Sequence, residues 1–96
     1  MLKLLRISGN SIAPYLHDGD FAIIRKQHRK LSLNPGDYVV FKEKSYGRLI
    51  KQIESIDSQH QKIFVRGSDD FSTDSRLFGA ITPEQIIGKV IFRIKA

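Results

Sequence analysis

The stretch Pro35-Gly36-Asp37-Tyr38-Val39-Val40-Phe41 joins a turn signal to an uninterrupted apolar run. Proline at the first central position of a turn and glycine at the second favour a type II turn, because glycine accepts the positive φ that this turn requires. The apolar run that follows is typical of a buried β-strand. Asp18-Gly19-Asp20-Phe21 is a variant of the same pattern. The chain is therefore predicted to enter its strands through glycine turns.

Similar strand-like runs, bounded by glycine, proline, asparagine or aspartate, recur along the chain, and helical periodicity is scarce. Strands are predicted at residues 2–7, 21–25, 38–42, 48–56, 62–66 and 87–94. Thr82-Pro83-Glu84-Gln85 places a capping residue before a proline, which favours one short helical turn. The predicted fold class is mainly β, with at most one or two short helical turns.

The 96 residues have room for one domain, predicted to span residues 1–96. A composition with 41% hydrophobic and 27% charged residues is typical of a soluble globular protein. The absence of cysteine excludes disulfides, thiolate metal sites and a cysteine nucleophile. The sequence contains neither a signal-peptide pattern nor an apolar run long enough to span a membrane, so the expected location is the cytoplasm.

The formal net charge of +6 could attract nucleic acid or an acidic membrane surface. However, only Arg25-Lys26-Gln27-His28-Arg29-Lys30 forms a basic run, and a solvated loop explains it most simply. A basic β-barrel that binds nucleic acid would also need aromatic platforms interleaved with basic residues on one face. The aromatic residues mostly fall beside turns or at core-like positions instead, so no nucleic-acid partner is expected.

Gly9-Asn10-Ser11-Ile12-Ala13-Pro14 contains the best candidate nucleophile. A serine beside glycine and just before a proline-fixed bend can lie on a rigid, exposed turn, but its hydroxyl needs a neighbouring base to take its proton. His17 lies beside Asp18 and is one possible base, although closeness in sequence does not provide hydrogen-bond geometry. His28 and His60 fall in polar segments and are predicted to be exposed to solvent.

Lys51 is the alternative base. If residues 48–56 form a strand, Leu49, Lys51 and Ile53 share one face. Burial among aliphatic side chains disfavours the ammonium form and lowers the pKa of a lysine from its ordinary value of about 10.4. In a competing interpretation, the lysine stem lies on the apolar face while the amine reaches water. Alternation alone favours this second interpretation.

A third segment, residues 67–79, reads Gly-Ser-Asp-Asp-Phe-Ser-Thr-Asp-Ser-Arg-Leu-Phe-Gly. Its short hydrogen-bonding side chains favour tight turns and local bonds to the backbone. Asp74 and Arg76 could form a charge-assisted pair that locks the loop. Composition alone thus predicts an ordered cluster of turns.

These segments together resemble the conserved boxes of type I signal peptidases, the Ser-Lys peptidases that remove leader sequences. The resemblance covers residues 9–20, 35–41, 49–53 and 67–88, and its most specific part is Ser-x-Asp-Ser-Arg-x-x-Gly at residues 72–79. It implies a coiled, barrel-like β-sheet as the catalytic core, with no metal or cofactor. The family's membrane anchor and accessory domain have no counterpart in this sequence, as in small soluble members associated with maturation of nickel superoxide dismutase precursors.

The resemblance also implies roles for individual residues. Ser11 would attack the scissile carbonyl, Lys51 would be the general base, and Ser72 would orient the lysine amine. Asp74 and Arg76 would brace the loop behind the site.

Other residues would shape the surroundings of the nucleophile. The backbone N–H of Ser11 would donate to the oxyanion, and Gly9 stands where some relatives supply a serine hydroxyl. Ile12, which replaces the usual methionine, and Pro14 would line the substrate pocket. The expected partner is a precursor protein whose leader binds in an extended conformation, for example a nickel superoxide dismutase precursor.

Four alternatives stay open, and one of them is the non-enzymatic basic β-barrel that binds nucleic acid. A self-cleaving repressor-type domain shares the fold and the Ser-Lys pair, but such proteins carry a DNA-binding segment and a cleavage loop before the serine, for which ten residues leave no room. An inactive peptidase-like scaffold is disfavoured because Ser11 and Lys51 are both present. A trimmed form of a membrane-anchored enzyme would show the same sequence features.

Overall fold

The structure, a computed structural model, describes residues 1–26, 32–67 and 78–96. Its strands are β1 Leu2–Arg6, β2 Phe21–Lys26, β3 Tyr38–Glu43, β4 Gly47–Asp57, β5 Lys62–Arg66 and β6 Ile86–Ile94. A single-turn 3-10 helix, Pro83–Gln85, immediately precedes β6. No helix in the described part of the chain is long and apolar enough to span a membrane. The predicted mainly β fold is confirmed, and every predicted strand agrees with an observed one to within one residue at each end.

Both glycine turns close by the same two kinds of hydrogen bond. Before β3, the Asp37 N–H donates to the Asn34 carbonyl oxygen (3.1 Å), and Gly36 has a φ of +95°. Before β2, the Asp20 N–H donates to the His17 carbonyl oxygen (3.0 Å). Each aspartate side chain also accepts the N–H of the first turn residue, at 2.9 Å from Asn34 and 2.8 Å from His17. Backbone and carboxylate therefore fix each turn together.

The strands form one antiparallel sheet in the order β1-β2-β6-β3-β4-β5. The last strand of the chain thus lies in the middle of the sheet, where it pairs with β2 on one side and β3 on the other. Register shifts interrupt the pairing of β2 with β6, of β3 with β6 and of β4 with β5. Because such irregularities bend strands and increase their twist, the sheet can coil around side chains on both faces.

Two clusters of buried apolar side chains lie on opposite faces of the sheet, since Val40 belongs to one cluster while Val39 and Phe41 belong to the other. The first cluster consists of Ile7, Ile12, Leu16, Ala22, Ile24, Val40 and Val90. The second consists of Val39, Phe41, Ile53, Ile63, Val65, Ile81 and Ile86. The first cluster supports the segment that contains Ser11, and the second supports the face of β4 that contains Lys51.

Gly88 allows the neighbouring strands β2 and β6 to approach closely. A Cβ atom at this position would lie 2.7 Å from the Arg25 carbonyl oxygen, well inside van der Waals contact. We expect Gly88→Ala to push the strands apart and to lower the free energy of unfolding by about 1–3 kcal/mol. Urea unfolding measures the effect, with Lys62→Ala at an exposed position of β5 as the control. Equal midpoints for wild type and Gly88→Ala would contradict the expected clash.

Candidate active site

The segment that contains Ser11, residues 9–15 and called the Ser11 segment below, follows β1 and is fixed at its start by Asp18. The Gly9 N–H donates to Asp18 Oδ1 (2.8 Å), and the Asp18 N–H donates in return to Asn10 Oδ1 (3.0 Å). Gly9 has a φ of +82°, a conformation that other residues adopt only at a cost in energy. Glycine is therefore needed here for the shape of the backbone, and its N–H is engaged by Asp18.

Tight turns carry the chain from Asn10 to Tyr15. The Ala13 N–H donates to the Asn10 carbonyl oxygen (3.1 Å), and the Tyr15 N–H donates to that of Ile12 (3.0 Å). Ile12 is only 2% exposed and belongs to the first cluster, whereas Ser11 is partly exposed. The isoleucine thus anchors the segment to the sheet and leaves the serine at the surface of the segment.

Lys51 lies in the interior of the protein, where it is 2% exposed. Leu49 and Ile53, its neighbours on the same face of β4, pack in the second cluster. The predicted alternation is confirmed. Burial to this extent is incompatible with an amine that extends into bulk water. A deeply buried lysine is costly, and such residues are concentrated at functional sites.

The structure brings the Ser11 segment near the strand that contains Lys51. Ile12, Tyr38 and Gln52 line a cavity of about 20 Å³, which has room for about one water molecule. Ile12 directly follows Ser11, and Gln52 directly follows Lys51. The cavity therefore shows that the two stretches of chain lie near each other. Because neighbouring residues of a strand point to opposite faces, it does not itself join the side chains of Ser11 and Lys51.

A larger cleft, of about 210 Å³, opens beside the start of the Ser11 segment. It is lined mainly by residues 5–8, at the end of β1, and residues 48–50 of β4. Among the described strands β1 pairs only with β2, and the pairing of β4 with β5 begins at Gln52. Both walls therefore contain strand edges, to which an extended peptide can add through backbone hydrogen bonds.

The end of β6 contacts the end of the Ser11 segment. Arg93 Cζ lies 4.4 Å from the ring centroid of Tyr15, and Arg93 Nη1 donates to the Tyr15 carbonyl oxygen (3.2 Å). Lys95 Nζ donates to the carbonyl oxygens of Pro14 (3.2 Å) and Tyr15 (2.8 Å). Tyr15 also stacks on Tyr38, with ring centroids 3.7 Å apart and planes 4° from parallel. The exposed Pro14 is thus held by its carbonyl group.

Neither Arg93 nor Lys95 is predicted as a site residue from the sequence, and the alternation of β6 contains no signal for Arg93, which shares the face of the buried Val90 only because of the register shift between Ile23 and Ile24. This arginine pairs with the fully buried Ala22, so it occupies a core-facing position at the end of its strand. A basic residue at such a position packs its stem on apolar neighbours and extends its charged group to polar partners. Here that partner is the Tyr15 carbonyl oxygen.

Asp20 ties the turn before β2 to the chain after β6. Its carboxylate accepts the Ala96 N–H (2.9 Å), the His17 N–H (2.8 Å) and Lys95 Nζ (3.3 Å). The Ala96 N–H, then the His17 N–H and the Lys95 ammonium hold the pKa of Asp20 at about 2, below its ordinary value of 3.8, although burial opposes this shift. The ionised carboxylate therefore stabilises the fold at neutral pH.

Protonation of Asp20 should weaken the fold in acid. Because its pKa is lower in the folded protein than in the unfolded chain, the stabilisation is fully present above pH 3.8 and is lost as the pH falls toward about 2. We expect Asp20→Asn to have a lower urea midpoint than wild type at about pH 5. Between about pH 5 and about pH 2, the midpoint of wild type should fall by more than the midpoint of Asp20→Asn. Parallel decreases for the two proteins would show that Asp20 is not responsible.

The two described histidines are exposed and have carboxylate partners of their own. His17 Nδ1 lies 3.9 Å from Asp20 Oδ2, and the His17 side chain is 54% exposed. His60, in the turn between β4 and β5, has its Nδ1 2.8 Å from Oδ2 of Asp57, the last residue of β4. The predicted exposure of His60 is confirmed, and His28 lies outside the described residues. These positions favour lysine over histidine as the base.

The loop residues named by the resemblance, Ser72, Asp74 and Arg76, lie outside the described residues. The described residues at the two ends of their loop border the site and the core. Gly67 lines the small cavity beside the Ser11 segment, and Phe78 packs against the second cluster. The roles of the three loop residues stay predictions.

Comparison with known proteins places the chain in a family. No curated protein sequence matches it. The Peptidase S24-like family matches residues 1–91, a range that includes the Ser11 segment, all of β4 and the first part of β6. Because this match covers nearly the whole sequence, with the candidate serine and lysine both inside it, the chain belongs to the Peptidase S24-like family.

Proposed function

We propose that this protein is a serine endopeptidase with Ser11 as the nucleophile and Lys51 as the general base. The observation that carries the proposal is the burial of Lys51, 2% exposed, in a strand that shares a small cavity and the first apolar cluster with Ile12, the residue after Ser11. Membership of the Peptidase S24-like family supports the class, because it indicates either a serine peptidase or a self-cleaving repressor-type domain.

In the proposed first step, Lys51 Nζ takes the proton of Ser11 Oγ while this oxygen attacks the scissile carbonyl carbon. Only the neutral amine can accept the proton, and a low-dielectric interior disfavours the ammonium form. The Ser11 N–H donates to the oxyanion of the tetrahedral intermediate. Lys51 then gives the proton to the leaving amine as the C–N bond breaks, and an ester links the acyl group to Ser11.

Hydrolysis of this ester completes the cycle. Lys51 takes a proton from the attacking water, and the proton returns to Ser11 Oγ as the acid product leaves. Following the resemblance to type I signal peptidases, Ser72 orients the lysine amine, and Asp74 and Arg76 brace the loop that contains it.

The substrate is proposed to bind as an extended strand in the 210 Å³ cleft between the end of β1 and β4. Pairing with strand edges uses the peptide backbone and places few demands on the bound sequence, which suits a leader peptide. Ile12 is proposed to shape the pocket floor from the small cavity beside Tyr38, and Pro14 to border it from the exposed side.

The resemblance makes an N-terminal leader or propeptide the proposed target, and a nickel superoxide dismutase precursor is one candidate. Self-cleavage by a repressor-type domain is the second candidate function, and the family match supports both. The two reactions differ in their kinetics. Cleavage of a separate precursor accelerates with the concentration of the enzyme, whereas the half-time of self-cleavage within one chain does not depend on concentration.

Mass spectrometry of the purified chain mixed with a candidate precursor tests the proposal. We expect release of the leader at one peptide bond, at a rate proportional to the concentration of the chain, while the chain keeps its own mass. A chain that shortens at a rate independent of its concentration would support the repressor-type function. Intact chain and intact precursor, across a panel of leader-bearing precursors, would contradict the peptidase proposal.

A further inference from the structure

The Ser11 segment meets the strands around Lys51 through a stack of three side chains, Arg93, Tyr15 and Tyr38. Tyr15 follows Ser11 through consecutive hydrogen-bonded turns, so a shift of the tyrosine moves the serine. Tyr38 is the first residue of β3, which pairs with β4 beside Lys51. Contact between the two rings therefore links the backbone around the proposed nucleophile to the backbone around the proposed base.

The geometry of the stack indicates why a cation is part of it. Parallel rings with centroids 3.7 Å apart overlap almost face to face, an arrangement that aromatic quadrupoles disfavour relative to an offset one. Tyr38 covers one face of the Tyr15 ring, so Arg93, 4.4 Å from the same ring, covers the other. A cation is attracted to the negative face of an aromatic ring and reduces the repulsion between the two tyrosines.

The backbone at Tyr15 is fixed from the same direction. Arg93 and Lys95 both donate to its carbonyl oxygen, at 3.2 and 2.8 Å, and Lys95 is held in turn by Asp20 at 3.3 Å. Burial raises the pKa values of the Tyr15 and Tyr38 hydroxyls, as expected for rings that cover each other. The end of the Ser11 segment is therefore held both through its ring and through its carbonyl group.

We propose that Arg93, Tyr15 and Tyr38 form a positioning stack that sets the distance between Ser11 and Lys51. This inference rests on the proposed Ser-Lys mechanism. The three residues act through the backbone around Ser11, so they are positioning residues. A misplacement of about 1 Å can cost about 100-fold in rate. A stack of this kind can therefore control the chemical step without contact with the substrate.

The first test compares Arg93→Met with Arg25→Met. Both changes remove one exposed arginine charge and keep a long unbranched side chain, but Arg25 lies on β2, outside the stack. We expect Arg93→Met to lower kcat for leader cleavage about 10- to 100-fold, with KM changed by less than about threefold. Arg25→Met should match wild type. Rates are measured at a temperature well below the thermal unfolding midpoint of each variant, so that loss of folded protein does not contribute to the decrease in kcat.

The second test asks whether Arg93 and Tyr15 act as one unit. Tyr15→Leu should lower kcat at least as much as Arg93→Met, and Tyr15→Phe, which keeps the ring, should lose less. The double variant that combines Arg93→Met with Tyr15→Leu should be no slower than Tyr15→Leu alone, because both changes break the same stack. Losses that multiply in the double variant would overturn the proposal, since they would show independent effects.

Failure of the stack and failure of the mechanism give different results. If wild type cleaves, Ser11→Ala does not, and Arg93→Met keeps the wild-type kcat, the positioning stack is overturned and the Ser-Lys mechanism stands. If Ser11→Ala cleaves as fast as wild type, the mechanism fails, and the inferred role of Arg93 fails with it.

Discussion

Replacement of Ser11 with alanine should reduce leader cleavage by at least about 1,000-fold, to the background rate. The variant lacks the oxygen that forms the ester, so no acyl-enzyme can form. Ser11 is partly exposed, and its neighbour Ile12 supplies the packing that anchors the segment. Alanine should therefore leave the fold intact, with a free energy of unfolding within about 0.5 kcal/mol of wild type.

Ser58→Ala is the matched control, because Ser58 is an exposed serine in the turn between β4 and β5. Initial rates from mass spectrometry of the released leader compare the same chemical change at two places. Full activity in this control, together with background activity in Ser11→Ala, would assign the nucleophile. Cleavage by Ser11→Ala at more than about a tenth of the wild-type rate would exclude the serine from that role.

Replacement of Lys51 with methionine should abolish cleavage to a similar extent. Methionine has nearly the length of lysine and suits the apolar surroundings of Leu49 and Ile53, but it cannot accept a proton. Lys51→Arg should fail as well, because a guanidinium group stays protonated. Combining Lys51→Met with Ser11→Ala should give no further loss, since the two residues act in the same step.

The pH dependence provides a separate measurement on Lys51. Since only the neutral amine serves as base, kcat/KM of wild type should rise with pH as the lysine loses its proton. Lys62→Met removes an exposed lysine of β5 and should keep the wild-type profile. A flat profile from mildly acidic to alkaline pH, or rapid cleavage by Lys51→Met, would be inconsistent with lysine as the base.

Local signals were sufficient to predict where the strands begin and end. The Gly36 turn and the apolar run after it act over a few residues, and the observed turn has the expected positive φ. The position of β6 between β2 and β3 depends on pairing between segments distant in sequence, which no local signal specifies. The register shift between Val40 and Phe41 similarly depends on the packing of both faces of the sheet.

The site was predictable only in part, for the same physical reason. Alternation placed Lys51 among aliphatic residues, but the exposure of Lys51 to water depends on the side chains that cover that face of β4. These include Ile63 and Ile81, which is distant in sequence and forms a β-bridge with Ile63. The contact between Arg93 and Tyr15 spans 78 positions, so it too was invisible in the local pattern. The resemblance added residue roles that periodicity alone could not supply.

Translation must reach β6 before backbone pairing can join β1 and β2 to the group formed by β3, β4 and β5. The ribosome completes β1 and β2, and then β3, β4 and β5, before residues 86–94 exist, and in the described sheet only β6 connects these groups by backbone pairing. Ser11 follows the first strand of one group, and Lys51 lies within the other. In a nascent chain that lacks β6, backbone pairing does not yet join these two groups, so we expect the proposed Ser11–Lys51 site to form only after β6 has been synthesised.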